Sequence, residues 1–346
     1  MRYTWANTFI LVLAAASLAT GFLALVAGSP DAAWRLHAHR IVGLAVAGVL
    51  VWKLPNVVRP LVARWGAWTF QDVVAVLVLT LVLVNIGLGV AWAHVGPFRY
   101  ALSSGISWHI NLALAVVPLL LWHTVRYRRL LRPRYWAERR SVLRMVGLLA
   151  VGVALWRAGA ALDGLLGGRA AERRFTGSYP AGDFTGNAFP TTSWLNDRPA
   201  PIDPDAWRLR VGGAVRRPLT LGLDELASLG PGEEPAATLD CTGGWHSTQA
   251  WRGVPLGRLL DRAEPNERAA SVSVVSTTGY YRRFSLAEAR ELLLATHVGG
   301  EALSHGHGAP VRLVAPGRRG YEWVKWVSAV ELNETGKWLQ PPLPLQ

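Results

Sequence analysis

Five apolar stretches in the first half of the chain dictate its architecture. Trp5 to Ala27, Leu36 to Trp52, Phe70 to Ala93, Ile106 to Val125 and Leu143 to Leu162 each approach the roughly 20 residues a helix needs to cross a bilayer core. A backbone in hydrocarbon must satisfy its own polar groups, so these stretches read as helices. No comparable stretch follows Leu162. The chain therefore divides into an N-terminal all-α transmembrane bundle of five spans, residues 1–165, and an α+β domain over residues 166–346.

Basic residues in short loops are retained on the cytoplasmic side. One loop carries Lys53, Arg59 and Arg64, and another carries Arg126, Arg128, Arg129, Arg132, Arg134, Arg139, Arg140 and Arg144. The intervening loops hold only Arg35 and Arg99. This charge pattern predicts a multi-pass protein of the cell membrane with its N-terminus inside and its C-terminal domain extracytoplasmic. The net charge of +13 does not point to nucleic acid, because much of the excess sits in those two loops, where topology and anionic lipid account for it.

From Arg169 to Pro204 the sequence is rich in Gly, Pro, Ser, Thr and Asn and reads as a loop-rich lead-in. Short β-type runs and short helices then alternate: WRLRVGG, a helix at LDELASL, ATLDC, a helix at LGRLLDRA, SVSVVST, a helix at SLAEARELL, PVRLVAP and WVKWVSAVEL. The single cysteine, Cys241, stands between ATLD and a Gly-Gly pair and excludes an intramolecular disulfide. A lone thiol can be a small core residue, a soft metal ligand or a nucleophile. Zinc is disfavoured because there is no second cysteine and His246 is the one nearby imidazole.

The residues around Cys241 carry more. LDCTGGW, then WRGVPLGRLL, then HGAPVRLVAPGRRGYEWVKWVSAVEL resemble, in the right order, the molybdopterin-binding domain of the sulfite oxidase family, which includes the catalytic subunit of periplasmic methionine sulfoxide reductase. The resemblance spans about Phe175 to Leu339 and implies Mo-molybdopterin as cofactor, with the Cys241 thiolate ligating molybdenum as catalytic residue. It further implies cofactor contacts from His307, Arg312 and Lys325, a polar contact from Thr277, and a cofactor-contacting loop at Thr191 to Trp194. Arg252, Arg282, Arg283, Arg318 and Arg319 are candidates for binding an anionic substrate.

The spans also hold His37, His39, His94, His109 and His123. Imidazoles at membrane depth are a functional signal, and paired histidines on facing helices hold b-type haem. Spacing favours one outer haem ligated by His39 and His109, with His37 or His94 as substitutes and Gly43 leaving room for the porphyrin; interfacial histidines without haem are the alternative. This half resembles small cytochrome b membrane domains. The fifth span opens with Arg139-Arg140-Ser141-Val142-Leu143-Arg144, which reads as an internal twin-arginine export signal for a folded, cofactor-loaded domain, or as ordinary positive-inside charge. Together these features predict a membrane-anchored molybdenum oxidoreductase carrying out two-electron oxygen-atom transfer on a small substrate. Electrons would pass through the membrane half to or from quinone or another redox partner. The rivals are a metal-free binding or scaffold module, and an enzyme whose spans serve only as anchor.

Overall fold

The computed structural model describes residues 3–344 apart from 133–135, 137, 195–196 and 231–233, and the side chain of residue 130. Arg134 of the basic loop lies outside the described residues. The chain forms two compact units, Met1–Tyr179 and Pro180–Gln346.

The first unit is a bundle of α1 (Trp5–Leu25), α2 (Ala33–Ala63), α3 (Phe70–His94), α4 (Gly105–Arg126) and α5 (Arg139–Leu166). All five are long and apolar enough to cross a membrane. α2 runs well past the expected end at Trp52 and carries Pro55 and Pro60 in its interior. α3 begins at a reciprocal cap: Asp72 Oδ2 accepts from the Thr69 backbone N–H at 2.9 Å, the Thr69 hydroxyl accepts from the Asp72 N–H at 3.4 Å, and Arg64 closes on Asp72 at 2.5 Å. α1 packs on α2, α3 on α4 and α2 on α5. Phe9, Leu13, Val46, Val49 and Leu148 fill the core between α1, α2 and α5. α5 comes so near α2 that a Cβ on Gly152 would strike the Ile41 carbonyl oxygen, the close approach that small residues permit between membrane helices. Val51, Val73, Leu114, Leu121 and Val153 point outward. In water such an apolar surface would be costly, and in lipid it is the expected exterior.

The second unit holds two sheets. One runs β2 (Leu219–Leu221), β1 (Leu209–Gly213), β10 (Val327–Asn333), β5 (Ser271–Ser276) and β6 (Tyr281–Ser285), with β1 parallel to β10 and the other pairs antiparallel. The other is built around β4 (Trp245–Pro255), which pairs antiparallel with β3 (Ala236–Asp240) through its first half and with β7 (Leu293–Val298) through its second. β7 also pairs with β8 (Glu301–Ala302) and β9 (Arg312–Val314). Helices α6 (Leu223–Ser228), α7 (Leu256–Ala263) and α8 (Leu286–Arg290) are short; α7 buries Leu256, Leu259, Leu260 and Ala263 along one face. Trp251, Leu294, Leu313, Trp323 and Val330 belong to one continuous core. Burying residues of this size contributes roughly 1.5–3 kcal/mol each.

Glu288 ties this unit together at its edge. It closes the capping box of α8 on Ser285 (2.9 Å to the backbone nitrogen) and pairs with Arg318 at 2.5 Å and with Lys337. Burial alone would raise its carboxyl, but Lys337, Ser285 and Arg318 outweigh that and hold it at about 2. A depressed carboxyl contributes stability above the ordinary carboxylate range that is lost as pH falls through about 2. Glu288→Gln is therefore expected to destabilise the protein by about 1–2 kcal/mol at pH 7 and by progressively less towards pH 2. Denaturant titrations followed by tryptophan fluorescence at several pH values check this.

Candidate functional site

Cys241 is the first residue after β3, in a four-residue turn that leads into β4. The turn closes on itself: the Cys241 N–H donates to the Trp245 carbonyl at 2.9 Å, and the Gly244 N–H donates to the Cys241 carbonyl at 3.1 Å. Gly244 sits at φ +91°, a conformation glycine adopts without strain. The Gly243 N–H donates to Cys241 Sγ at 3.3 Å. The Thr192 hydroxyl, which lines the same cavity as Cys241, accepts from Trp245 Nε1 at 3.2 Å. Burial pushes the thiol pKa up, against the opposing pull of the Gly243 N–H, Arg319 and Thr192. A metal ion would release that proton, because coordination deprotonates a thiol.

The sulfur lies in an open cavity of about 700 Å³ that Arg312, Lys325 and His307 also line. Arg312 is 1% exposed. Its guanidinium lies 5.0 Å from the Trp251 ring and 5.6 Å from the Trp323 ring, and donates to the His307 carbonyl at 3.1 Å, while its Nε is buried without a partner. Burial lowers its pKa to about 9. Lys325 Nζ donates to the Gly306 carbonyl at 2.6 Å, and burial together with Arg312 brings its pKa down to about 7. Among the described residues neither cation forms an ion pair. Two desolvated cations held by carbonyls and π faces lack only the anion that would compensate them.

His307, 2% exposed, has both ring nitrogens engaged. Nε2 meets the Phe189 carbonyl at 3.1 Å, so it carries the proton, and Nδ1 accepts from the Ser304 hydroxyl at 2.8 Å. Burial, Arg312 and Lys325 lower its pKa to about 4, so it stays neutral and braces the cavity wall. Thr192, Ser193 and Trp194 line the cavity as well. Thr277 lies on the exposed turn after β5, its backbone N–H donating to the Trp326 carbonyl at 2.9 Å, and is not among the lining residues.

Of the five candidate arginines none lines the cavity. Arg318 is spent on Glu288; Arg282 donates to the carbonyls of Pro341 and Pro342; Arg283 donates to the Ser273 and Thr335 hydroxyls. Arg252 is exposed on β4. Arg319 is buried in an ion pair with Asp240 at 2.6 Å, directly behind Cys241.

The first unit contains a second constellation. The rings of His39 on α2 and His109 on α4 face each other with centroids 5.9 Å apart. His39 Nδ1 bonds the Ser17 carbonyl of α1 at 3.0 Å, and His109 Nδ1 bonds the Asn85 carbonyl of α3 at 2.9 Å. Each Nδ1 is thus a donor, which leaves each Nε2 with a lone pair. One turn beyond each carbonyl is a glycine against the ring: a Cβ on Gly21 would lie 3.0 Å from His39, and one on Gly89 would lie 3.1 Å from His109. Gly43, by contrast, has the Ser17 hydroxyl nearest, at 4.0 Å. The other three histidines are elsewhere. His37 packs on Trp156 at 4.9 Å, His94 Nδ1 bonds Asp163 at 2.9 Å, and His123 packs on Tyr127 at 4.7 Å.

Comparison with known proteins agrees with the Cys241 cavity. Residues 196–338 match the family model described as the oxidoreductase molybdopterin binding domain. Over 162 residues the chain is 30% identical to the protein-methionine-sulfoxide reductase catalytic subunit MsrP of Burkholderia mallei (strain ATCC 23344), covering 42% of this chain and 48% of that protein. Over 145 residues it is 32% identical to the MsrP of Xanthomonas axonopodis pv. citri (strain 306), covering 37% and 45%. The chain thus spans about half the length of these relatives. The sulfane dehydrogenase SoxCD from Paracoccus pantotrophus is a structural neighbour with TM-score 0.38 and 25% identity, covering 39% of this chain and 40% of that one. The second unit thus carries a match to a molybdopterin-binding oxidoreductase domain, preceded in the chain by five membrane-length helices.

The uncompensated cations generate a prediction for the cofactor-free protein. A lysine whose pKa is lowered on folding binds fewer protons in the folded than in the unfolded chain between about 7 and its ordinary value, so stability rises with pH across that window. Lys325→Met is expected to stabilise the cofactor-free protein at pH 7 by roughly 1–3 kcal/mol and to flatten that rise. Thermal unfolding from pH 6 to 10 measures both effects.

Proposed function

We propose that the protein is a membrane-anchored molybdenum oxidoreductase that reduces or forms an S–O bond on a small neutral substrate, with electrons carried through its membrane unit. The observation that carries this reading is the pairing, in a single cavity, of one buried thiol with two buried cations that form no ion pair among the described residues. The donor set fits Mo-molybdopterin: Cys241 supplies the soft ligand, and Arg312 and Lys325 supply positive charge for an anionic cofactor. When bound, the cofactor supplies two-electron oxygen-atom chemistry. His307 keeps Arg312 in place through its carbonyl, and the Gly243 N–H orients the sulfur.

The rest of the cavity bears on the substrate. Trp194, Trp245, Tyr280, Tyr321 and Trp326 form its walls, and Arg312 and Lys325 are the cations that line it. With both assigned to the cofactor, aromatic surface suits a neutral, polarisable sulfoxide better than a dianion such as sulfite. The reaction R2SO + 2 e− + 2 H+ → R2S + H2O balances without a further reactant, and it is the chemistry named for the MsrP relatives.

In the membrane unit, His39 and His109 are the residues that would hold a b-type haem, which would supply one-electron transfer. Both Nε2 atoms are free to ligate, both Nδ1 protons are fixed by carbonyls in the manner of oriented metal-binding histidines, and Gly21 and Gly89 leave the rings room. Electrons from quinol or another membrane carrier would reach the molybdenum domain by this route. The charge bias of the loops favours an extracytoplasmic position for that domain.

Protein produced in a host with a competent molybdopterin pathway is expected to contain near-stoichiometric molybdenum and to oxidise reduced viologen with methionine sulfoxide but not with sulfate. Cys241→Ser should lower that rate at least 100-fold, on the order of a lost metal ligand. Reduced-minus-oxidised spectra should show a b-type α band that disappears in His109→Ala and His39→Ala. Metal-free wild type overturns the first assignment, and haem-free wild type from haem-replete cells overturns the second and leaves the spans as an anchor.

The twin arginines open α5, and export of a folded domain through them reconciles a cytoplasmically assembled cofactor with an outer location. Replacing both with Lys keeps the charge, so the positive-inside rule predicts unchanged topology. The export reading predicts instead that the C-terminal domain of Arg139→Lys/Arg140→Lys becomes protected from protease in spheroplasts.

A further inference from the structure

The cofactor reading leaves the Asp240–Arg319 ion pair without a task. Both side chains are buried, at 2% and 4% exposure, and joined at 2.6 Å. The second guanidinium nitrogen, Nη2, donates to the Cys241 carbonyl at 3.3 Å. The backbones of Asp240 and Arg319 form an isolated parallel bridge, and a Cβ on the next residue, Gly320, would lie 3.2 Å from Cys241 Cα. The segment carrying Arg319 is therefore pressed against the backbone of the cysteine, and its next residues, Gly320 and Tyr321, line the cavity.

A buried ion pair is a poor source of stability, because desolvating both groups offsets most of their attraction. What a guanidinium adds is a planar fork with donors at fixed angles. Here one prong holds the carboxylate of the last residue of β3 and the other holds the carbonyl of the next residue, so the fork fixes the Cys241 peptide plane relative to the strand.

We propose that Arg319, anchored by Asp240, is the positioning residue for the metal-ligating thiolate: by holding the Cys241 carbonyl it sets the direction in which Cys241 presents Sγ. This rests on the molybdenum reading above. It names residues that touch neither substrate nor metal and act through Cys241.

The test uses full-length, cofactor-loaded protein and two variants. Arg319→Lys keeps the charge and loses the fork; Asp240→Asn/Arg319→Gln keeps a hydrogen-bonding pair of similar shape without charge. Molybdenum and pterin per chain, the EPR signal of the half-reduced metal and its midpoint potential are measured, with kcat and KM for methionine sulfoxide. Both variants are expected to hold metal and to show shifted g values and a shifted midpoint potential. In both, kcat should fall roughly 10- to 100-fold, the usual effect of losing a group that orients a ligand, while KM stays within about twofold because the substrate walls are intact. A folded variant that binds pterin but no molybdenum also supports the proposal, since the thiolate is then no longer presented. Loaded variants with wild-type g values and potential overturn it. If the double variant does not fold, Arg319→Lys decides by its g values alone. Wild type without molybdenum overturns the cofactor reading and this proposal with it, and is told apart because it appears before any substitution.

Discussion

The charge on Arg312 is the constraint around which the second unit is arranged. A guanidinium this deep needs compensation, and it receives two indole faces and one carbonyl. Cation–π contacts contribute up to about 2 kcal/mol when desolvated, well short of the several kcal/mol lost on removing a charge from water. The strand that carries it, β9, is held against the central strand β7, and Trp251 and Trp323 are core residues. The cation cannot swing out to solvent without unpacking the domain. Lys325 shares the same cavity and adds to the imbalance. A fold that holds two such charges opposite a thiol is completed by an anion, which is why the cavity reads as a binding site and not as a packing defect.

The membrane unit meets a different constraint, the direction of a lone pair. An imidazole can ligate only if the nitrogen facing the partner is unprotonated, and in both histidines the far nitrogen is committed to a carbonyl on the neighbouring helix. The arrangement is the same in both hairpins. Ser17 and Gly21 on α1 serve His39 as Asn85 and Gly89 on α3 serve His109. A backbone carbonyl already bonded within its helix has a second lone pair to give, so the histidine is oriented without leaving the helix unsatisfied. The glycine one turn further on removes the side chain that would otherwise cover the ring.

How much of this was legible in the sequence depends on the range of the interaction. The five helices follow from runs of apolar residues, a local signal; α2 runs past the expected end at Trp52, because the stretch with Lys53, Arg59 and Arg64 reads as a basic loop and the helix continues through it as far as Ala63. Cys241 was legible because the hairpin around it is local. The longest strand, β4, was not: it is buried on both faces for much of its length and shows no clean alternation. SLAEARELL reads as one helix, yet the helix stops at Arg290 and the following leucines begin β7. Arg318 and Arg319 are adjacent and chemically alike, but one reaches Glu288 and the other reaches Asp240, 79 residues away. Nothing local separates them. The glycine notches were within reach, since Ser17 to Gly21 and Asn85 to Gly89 share one spacing.

The way each cation is held separates those offered to a ligand from those that belong to the scaffold. Arg312 and Lys325 donate to carbonyls, of His307 and Gly306. A carbonyl fixes direction while leaving the full charge available to an incoming anion. Arg318, Lys337 and Arg319 are held by carboxylates, on Glu288 and Asp240, so their fields are largely cancelled at a distance and what remains is geometry. Arg282 also rests on carbonyls, but it does not line the cavity, which places it with the scaffold. By this criterion the anion-binding capacity of the domain resides in Arg312 and Lys325. Under the proposed function, a cofactor that matched those two would leave a substrate facing mostly aromatic walls.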